Sequence, residues 1–200
     1  TGAITGRFSC GKPNLQNISR GKLRACFVPG DGNRLVVADY SQMELRIAAA
    51  IAGEERMIAA YKQGFDLHRH TAGIVLGKPV EAVSKEDRQL AKAVNFGLLY
   101  GQSARGLVGY AKKTYGVEME YERAREIHSI FFSAYTDLRE WHKNARKMAA
   151  QGVQSVRTAL GRIQRLPKGE AAAQFRFGAL VNTPAQGGSA DALKQAMVRL

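Results

Sequence analysis

Leu35-Val36-Val37-Ala38-Asp39-Tyr40-Ser41-Gln42-Met43-Glu44-Leu45-Arg46 is the stretch on which the fold turns. Its first four residues form a short apolar, partly β-branched run, which predicts a buried strand. The run leads to a carboxylate, Asp39. Ser41 and Glu44, three residues apart, have the spacing of a capping box, so a helix is predicted to follow. That helix should continue through Ala52 and stop at Gly53, a residue that tolerates the left-handed backbone of a helix end. A strand running into a helix start fixes Asp39 where it can face a cleft. Carboxylates in such places suit hard divalent ions such as Mg²⁺, for which one or two carboxylates plus substrate phosphates often suffice. The plainer alternatives are that Asp39 caps the turn and that Glu44 serves only the capping box.

Working outward, residues 1–33 are rich in Gly, Asn, Ser and Pro and predict loop with short strands, one at Ala25–Val28. A second helix is expected over about 54–63. Ser84 with Asp87 repeats the S-x-x-acid start and predicts a helix to about Tyr100, with Gly101 beyond it. Tyr121 to about Ala150 is helical in pattern, with a break near Ser133–Thr136 and a stop at Gly152. Val153–Thr158 and Arg162–Leu166 predict a hairpin around Leu160-Gly161. A last helix should open between Pro184 and Ser189 and run to Leu200. Strands and helices mix without a regular alternation, so the class expected is α+β.

On the 84–100 helix, Arg88, Lys92, Phe96 and Tyr100 recur every four residues, with Asn95 beside them. Steps of four drift slowly around a helix with 3.6 residues per turn, so the four form a slanting stripe. Two cations followed by two aromatics suit a nucleotide: phosphates for the cations, base and sugar for the rings. The alternative is a solvated basic turn followed by a core-facing aromatic one. Gly97 costs helix stability, which predicts that something approaches the backbone closely there.

The 200 residues suffice for one globular domain or one lobe of a larger one. A 45% hydrophobic and 24% charged composition is that of an ordinary globular chain. No apolar run approaches the roughly 20 residues that span a bilayer, so no membrane partner is expected. Cys10 and Cys26 are too few for a disulfide framework or a four-ligand zinc site, and point to a reducing compartment. A His68-x-His70 metal pair lacks further ligands at zinc-site spacing. Thirty Lys and Arg against 17 Asp and Glu give a net charge of +13, spread over both halves and densest over residues 143–176. A folded surface with that imbalance favours polyanions, nucleic acid first. The chain starts at Thr1 and ends within a helical pattern, so it is expected to be a piece of a longer protein.

Residues 39–46, Asp-Tyr-Ser-Gln-Met-Glu-Leu-Arg, resemble motif A of the family A (polymerase I type) DNA polymerases. Arg88-x-x-x-Lys92-x-x-Asn95-Phe96-Gly97-x-x-Tyr100-Gly101 resembles motif B. Thr5-Gly6-Arg7-Phe8-Ser9 and Pro13-Asn14-Leu15-Gln16-Asn17-Ile18 are similar to the family's stretch before motif A. Asn182-Thr183-Pro184-Ala185-Gln186-Gly187 is similar to the segment before its third motif. The match covers nearly the whole chain in the right order.

The resemblance implies a truncated right-hand polymerase fold, with helical fingers and part of an antiparallel palm sheet. Residues 1–53 would be partial palm with motif A, 54–152 the fingers with motif B, and 153–200 a return to the palm. It implies template-directed DNA synthesis in the parent protein, with primer–template DNA and dNTP as partners. Asp39 would hold two Mg²⁺ ions, with the Tyr40 carbonyl as a further ligand. Arg88 and Lys92 would grip the triphosphate, Lys92 would also protonate pyrophosphate, and His68 would touch the phosphates. Gln42 joins this nucleotide-binding set, Phe96 would stack near sugar and base, and Tyr100 would close the base-pair pocket. Glu44 would exclude a ribose 2′-hydroxyl. Arg7, Asn14, Gln16, Asn17, Asn182 and Gln186 would contact primer–template, where minor-groove acceptors check geometry without reading sequence.

Two departures matter. The family's His-Asp-Glu motif, which carries a second metal-binding carboxylate, is absent from residues 1–200, and Asp191 lacks its flanks. Gly178 stands where the family often has Arg, with Arg176 nearby but out of phase. The fragment alone should therefore be inactive, with the thumb and the rest of the palm in the parent chain. A cytoplasmic place is expected, at the bacterial nucleoid or in a phage-infected cell. A non-catalytic nucleic-acid-binding module and a single-subunit RNA polymerase are the alternatives.

Overall fold

The computed structural model of the chain describes residues 3–18 and 21–199. The described residues among the first 40 are mostly irregular, with a 3₁₀ turn at Leu15–Asn17 and one turn of helix, α1, at Lys22–Ala25. No strand forms at 25–28, where Ala25 closes α1 instead. The strand expected at 35–38 does not form either, and Val36 and Val37 are 90% and 93% exposed. A strand is completed by hydrogen bonds from a neighbour, and among the described residues the one sheet is a two-stranded hairpin elsewhere.

Helix α2, Met43–Ala52, starts one turn residue later than the capping box requires. Its N-cap is Gln42, in the left-handed conformation at φ 54° with no side-chain cap, and Ser41 takes no part. Glu44 is thereby released for another partner. The helix stops as expected at Gly53, whose φ is +69°. It buries Leu45, Ala48 and Ala49. Next come α3, Glu55–Lys62, and α4, Leu67–Leu76, the latter capped by Asp66 and ended by Gly77. Helix α5, Lys85–Leu99, carries the predicted capping box in full: Ser84 accepts from the Asp87 N–H and Asp87 from the Ser84 N–H. Helix α6, Ala104–Tyr115, packs on α5 at Gly97, where a Cβ would lie 2.8 Å from Leu107. The close approach expected at Gly97 is thus made by a neighbouring helix.

Helices α7, Tyr121–Ala134, and α8, Thr136–Ala150, are separated by Tyr135 alone, within the predicted break. The buried Glu54 carboxylate spans the gap. It accepts from Arg56 N–H in α3 and from the Asp137 and Leu138 N–H groups that open α8. The main core, including Leu45, Met57, Leu67, Leu98, Leu107, Ile127, Phe131 and Leu138, is contributed by every helix from α2 to α8. Strands β1, Ser155–Arg157, and β2, Ile163–Arg165, form the predicted hairpin with Val156 opposite Gln164.

The last helix opens at Gly188, within the expected 184–189 window, but it continues a helical run that starts earlier. Helix α9, Ala173–Asn182, continues through a π-helical turn at Thr183–Gly187 into α10, Gly188–Val198, so Pro184 sits inside a helical run. A π turn re-registers the backbone bonds, which accommodates a residue without an N–H. Leu200, expected at its end, lies outside the described residues. A second core of Ala145, Ala149, Val156, Leu166, Phe177, Leu180 and Val181 joins α8, the hairpin and α9. No helix among the described residues is long and apolar enough to cross a membrane.

Candidate functional site

A cleft of about 470 Å³ opens between the N-terminal loop, the start of α2, α5 and the π turn with α10. Eight of the residues singled out in the sequence line it: Arg7, Gln16, Asp39, Tyr40, Gln42, Glu44, Phe96 and Gln186. Phe8, Met43, Ala190 and Leu193 supply apolar wall. Gln16 is held by donating to the Phe8 carbonyl at 2.8 Å. Asp39 is exposed and, among the described residues, makes no side-chain hydrogen bond or ion pair. An open carboxylate beside the Tyr40 backbone is a pair of oxygen donors suited to a hard cation that keeps some of its waters. Among the described residues no group of three His, Cys, Asp or Glu gathers to complete a metal cage.

Glu44, freed from capping, accepts a hydrogen bond from the Tyr100 hydroxyl. Burial and the Glu44 charge hold the Tyr100 phenol far above its ordinary range, so it stays a donor. This bond joins the first turn of α2, whose Glu44 lines the cleft, to the end of α5. Gln42 accepts from the Tyr61 hydroxyl at 3.2 Å and donates to Asp66 at 3.4 Å. Its left-handed backbone turns it toward α3 and α4.

The phosphate-type residues stand outside the cleft lining. Arg88 donates through Nε to Asp66 Oδ2 at 2.7 Å. Lys92, one turn on, lies 5.7 Å from the Tyr115 ring centre. His68 is buried, with Nδ1 3.0 Å from the Asn95 amide nitrogen, and its ring is 5.8 Å from Phe96. Asn95 Oδ1 accepts from Thr71, which meets the Tyr135 hydroxyl at 2.8 Å. Burial outweighs the Asp66 charge and lowers the His68 pKa to about 4, with Arg88 and Lys92 adding to the shift. His68 is therefore neutral at pH 7, and with Nδ1 accepting from Asn95 its proton sits on Nε2.

Three predicted DNA-contact residues lie apart from the cleft. Asn14 and Asn17 are exposed on the 3₁₀ turn, where Asn14 caps the Gln16 N–H. Asn182 borders a second groove of about 310 Å³ with Gln164, Phe175 and Gly178, and its buried Oδ1 has no hydrogen-bond partner among the described residues. Arg176 offers nothing to that groove. The residue is 1% exposed, and its guanidinium donates to the carbonyls of Ala149, Pro167 and Gly169. Sequence reasoning missed Asp66, although an Asp before an apolar helical run is an N-cap signal. It also missed Arg162, which bonds Asp191 at 2.8 Å and the Thr5 carbonyl at 2.6 Å. That side chain ties the hairpin to the N-terminal loop and α10, over Gly187, where a Cβ would lie 2.5 Å from it.

The family model for DNA polymerase family A matches residues 1–200. The chain belongs to DNA polymerase family A. Among its relatives, DNA polymerase I of Aquifex aeolicus is 45% identical over 98% of the chain and 33% of that protein. DNA polymerase I of Pseudomonas aeruginosa is 41% identical over 98% of the chain and 22% of its own length. The thermostable DNA polymerase I of Thermus aquaticus is 36% identical over the full chain and 24% of its own length. The chain thus spans about a third or less of these family A relatives. Among solved structures, the POL domain of Pol1 from M. smegmatis, in complex with DNA primer-template and dNTP, superposes with a TM-score of 0.83 at 33% identity. That alignment covers 98% of this chain and 35% of the other. The mostly helical architecture with its small antiparallel sheet is accordingly part of a polymerase-domain fold.

Proposed function

We propose that this chain is the fingers and part of the palm of a family A enzyme that extends a DNA primer on a template. On this reading residues 1–53 are partial palm, 54–152 fingers and 153–200 the return to the palm. The observation that carries it is the cleft. It gathers Asp39 with Glu44, Phe96 and Gln186 from three segments far apart in sequence, with the Arg88 and Lys92 cations further back along α5. The M. smegmatis complex with primer-template and dNTP supports the same assignment.

Asp39 and the Tyr40 carbonyl would hold Mg²⁺ here. Two bound ions supply activation of the primer hydroxyl and charge stabilisation of the leaving pyrophosphate. The chain's own residues do the rest. Arg88 and Lys92 meet the triphosphate, and Lys92 gives a proton to the departing pyrophosphate. His68, neutral, donates from Nε2 to a phosphate oxygen. Phe96 stacks beside the sugar and base, while Tyr100 and Glu44 form a wall where a ribose 2′-hydroxyl would sit. Arg7, Asn14, Gln16, Asn17, Asn182 and Gln186 hold primer–template. The protein would work in the cytoplasm, at a bacterial nucleoid or in a phage-infected cell.

The test is primer extension by the full-length protein with Mg²⁺ and dNTPs. Asp39→Ala should abolish it, and activity surviving that change removes Asp39 from the metal site. The isolated 200-residue chain should show none, because Asp39 has no second metal-binding carboxylate beside it among the described residues to share the two ions. A full-length protein that prefers rNTPs would overturn the role given to Glu44 and favour an RNA polymerase.

A further inference from the structure

The Asp66 carboxylate meets three residues of the nucleotide-binding set at once. Oδ1 accepts the His68 backbone N–H at 2.9 Å and lies 3.4 Å from Gln42 Nε2, while Oδ2 takes Arg88 Nε at 2.7 Å. The geometry of the third contact is unusual in what it leaves open. A carboxylate facing a guanidinium commonly takes two parallel N–H bonds. Here Oδ1 is already committed to the start of α4 and to Gln42, so only one oxygen reaches Arg88. The grip is on Nε alone, and among the described residues neither Nη group of Arg88 has an acceptor. The Arg88 side chain is 40% exposed, so those donors can reach a ligand.

We infer that Asp66 is a positioning residue that aims Arg88 at the triphosphate, holding Nε and leaving both Nη groups to pair with phosphate oxygens. This rests on the assignment of Arg88 as a phosphate ligand made above. The carboxylate is anchored by a helix N-cap on one side, so it fixes the Arg88 side chain relative to α4 and the core. Without it the guanidinium must be ordered by the nucleotide itself, at a cost in affinity. Through Gln42, the same carboxylate also ties the start of α2 to α4 and α5. Burial raises the Asp66 pKa, but the Arg88 bond and charge and the His68 N–H outweigh it, so the group stays ionised.

Asp66→Asn separates the two jobs. Asn is as good an N-cap as Asp, but with its oxygen on the His68 N–H it turns an amide N–H toward Arg88 Nε. In steady-state primer extension by the full-length protein, Asp66→Asn should raise KM for dNTP about tenfold, roughly 1.4 kcal/mol. The primer–template Kd and the thermal midpoint should stay unchanged. Combined with Arg88→Ala, it should add nothing further. An Arg88→Ala variant with unchanged KM would refute the phosphate assignment instead. Arg88→Ala raising KM while Asp66→Asn leaves it alone would refute the positioning role. A lowered KM in Asp66→Asn would also overturn it, making Asp66 a competitor for Arg88. So would equal loss of primer–template affinity and stability. If Asp66→Asn fails to fold, Asp66→Ser, which also caps, carries the same expectations.

Discussion

Replacing Glu54 by Ala removes one buried carboxylate that serves two helices. The side chain is 1% exposed. It accepts from Arg56 N–H at 3.3 Å, Asp137 N–H at 3.0 Å and Leu138 N–H at 3.3 Å. The last two are orphan donors of the first turn of α8, which has no cap of its own because Tyr135 precedes it. A hydrogen bond to a charged acceptor contributes about 1.5–3 kcal/mol, and an unpartnered buried N–H costs a similar amount. The three bonds share one carboxylate whose own burial is costly, so they do not add in full. A loss of about 4 kcal/mol is expected, most of it local to the α7–α8 junction and the start of α3. The assay is amide hydrogen exchange in the full-length protein. At 1.4 kcal/mol per decade, the α8 N-terminal amides should exchange on the order of a thousandfold faster in Glu54→Ala. Glu54→Gln keeps one acceptor oxygen and should fall about midway. Exchange within threefold of wild type would show that the spanning carboxylate does not hold α8 to α3, and the account of the junction would fail.

The buried imidazoles make stability depend on pH. Burial lowers the pKa of His68 and of His142 to about 4, below the 6.5 of a free His, so the unfolded chain binds protons first. Their contribution is complete above pH 6.5 and is lost as pH falls toward 4, by about 3 kcal/mol each at most. Proton NMR of both rings should show no titration above pH 5, and a midpoint near 6.5 for either would contradict its burial. Arg176→Met strands the carbonyls of Ala149, Pro167 and Gly169 and should cost about 3 kcal/mol in stability. Primer–template binding by the same variant should keep its salt slope, since no surface charge is removed. A slope reduced by about one unit would place Arg176 on the DNA.

The local signals were read correctly where the physics is local. Ser84 and Asp87 lie three residues apart and form their reciprocal cap within one turn. Gly53 and Gly152 adopt the positive φ that their positions after helices predict. The break in the long 121–150 pattern falls at Tyr135. The 35–38 run shows the opposite case, because an apolar β-branched sequence becomes a strand only when another strand supplies bonds. Ser41 failed as a cap for a similar reason. Glu44 reaches Tyr100, 56 residues away, and Gln42 reaches Tyr61 and Asp66, so tertiary partners outcompete the capping box. Helices α4, α6 and α9 were unread, although α4 carries Asp66 and α9 carries the buried Arg176.

By itself the sequence determined the chemistry available. It placed a carboxylate at 39, cations and aromatics along one stripe of α5, a basic surface and a motif order that names the family. These depend on residue identity and on spacings of a few residues, which the helix pitch converts into shared faces. Only the tertiary structure decided which groups meet. Asp66 and Arg88 are 22 residues apart, Arg162 and Asp191 are 29, and Glu54 and Leu138 are 84. Each pair forms because packing of the core brings two helices or a loop to within 3–4 Å, and no periodicity in the chain encodes that approach. The same packing gave Arg176, a surface candidate by composition, to the interior, and left Asp39 open in a cleft.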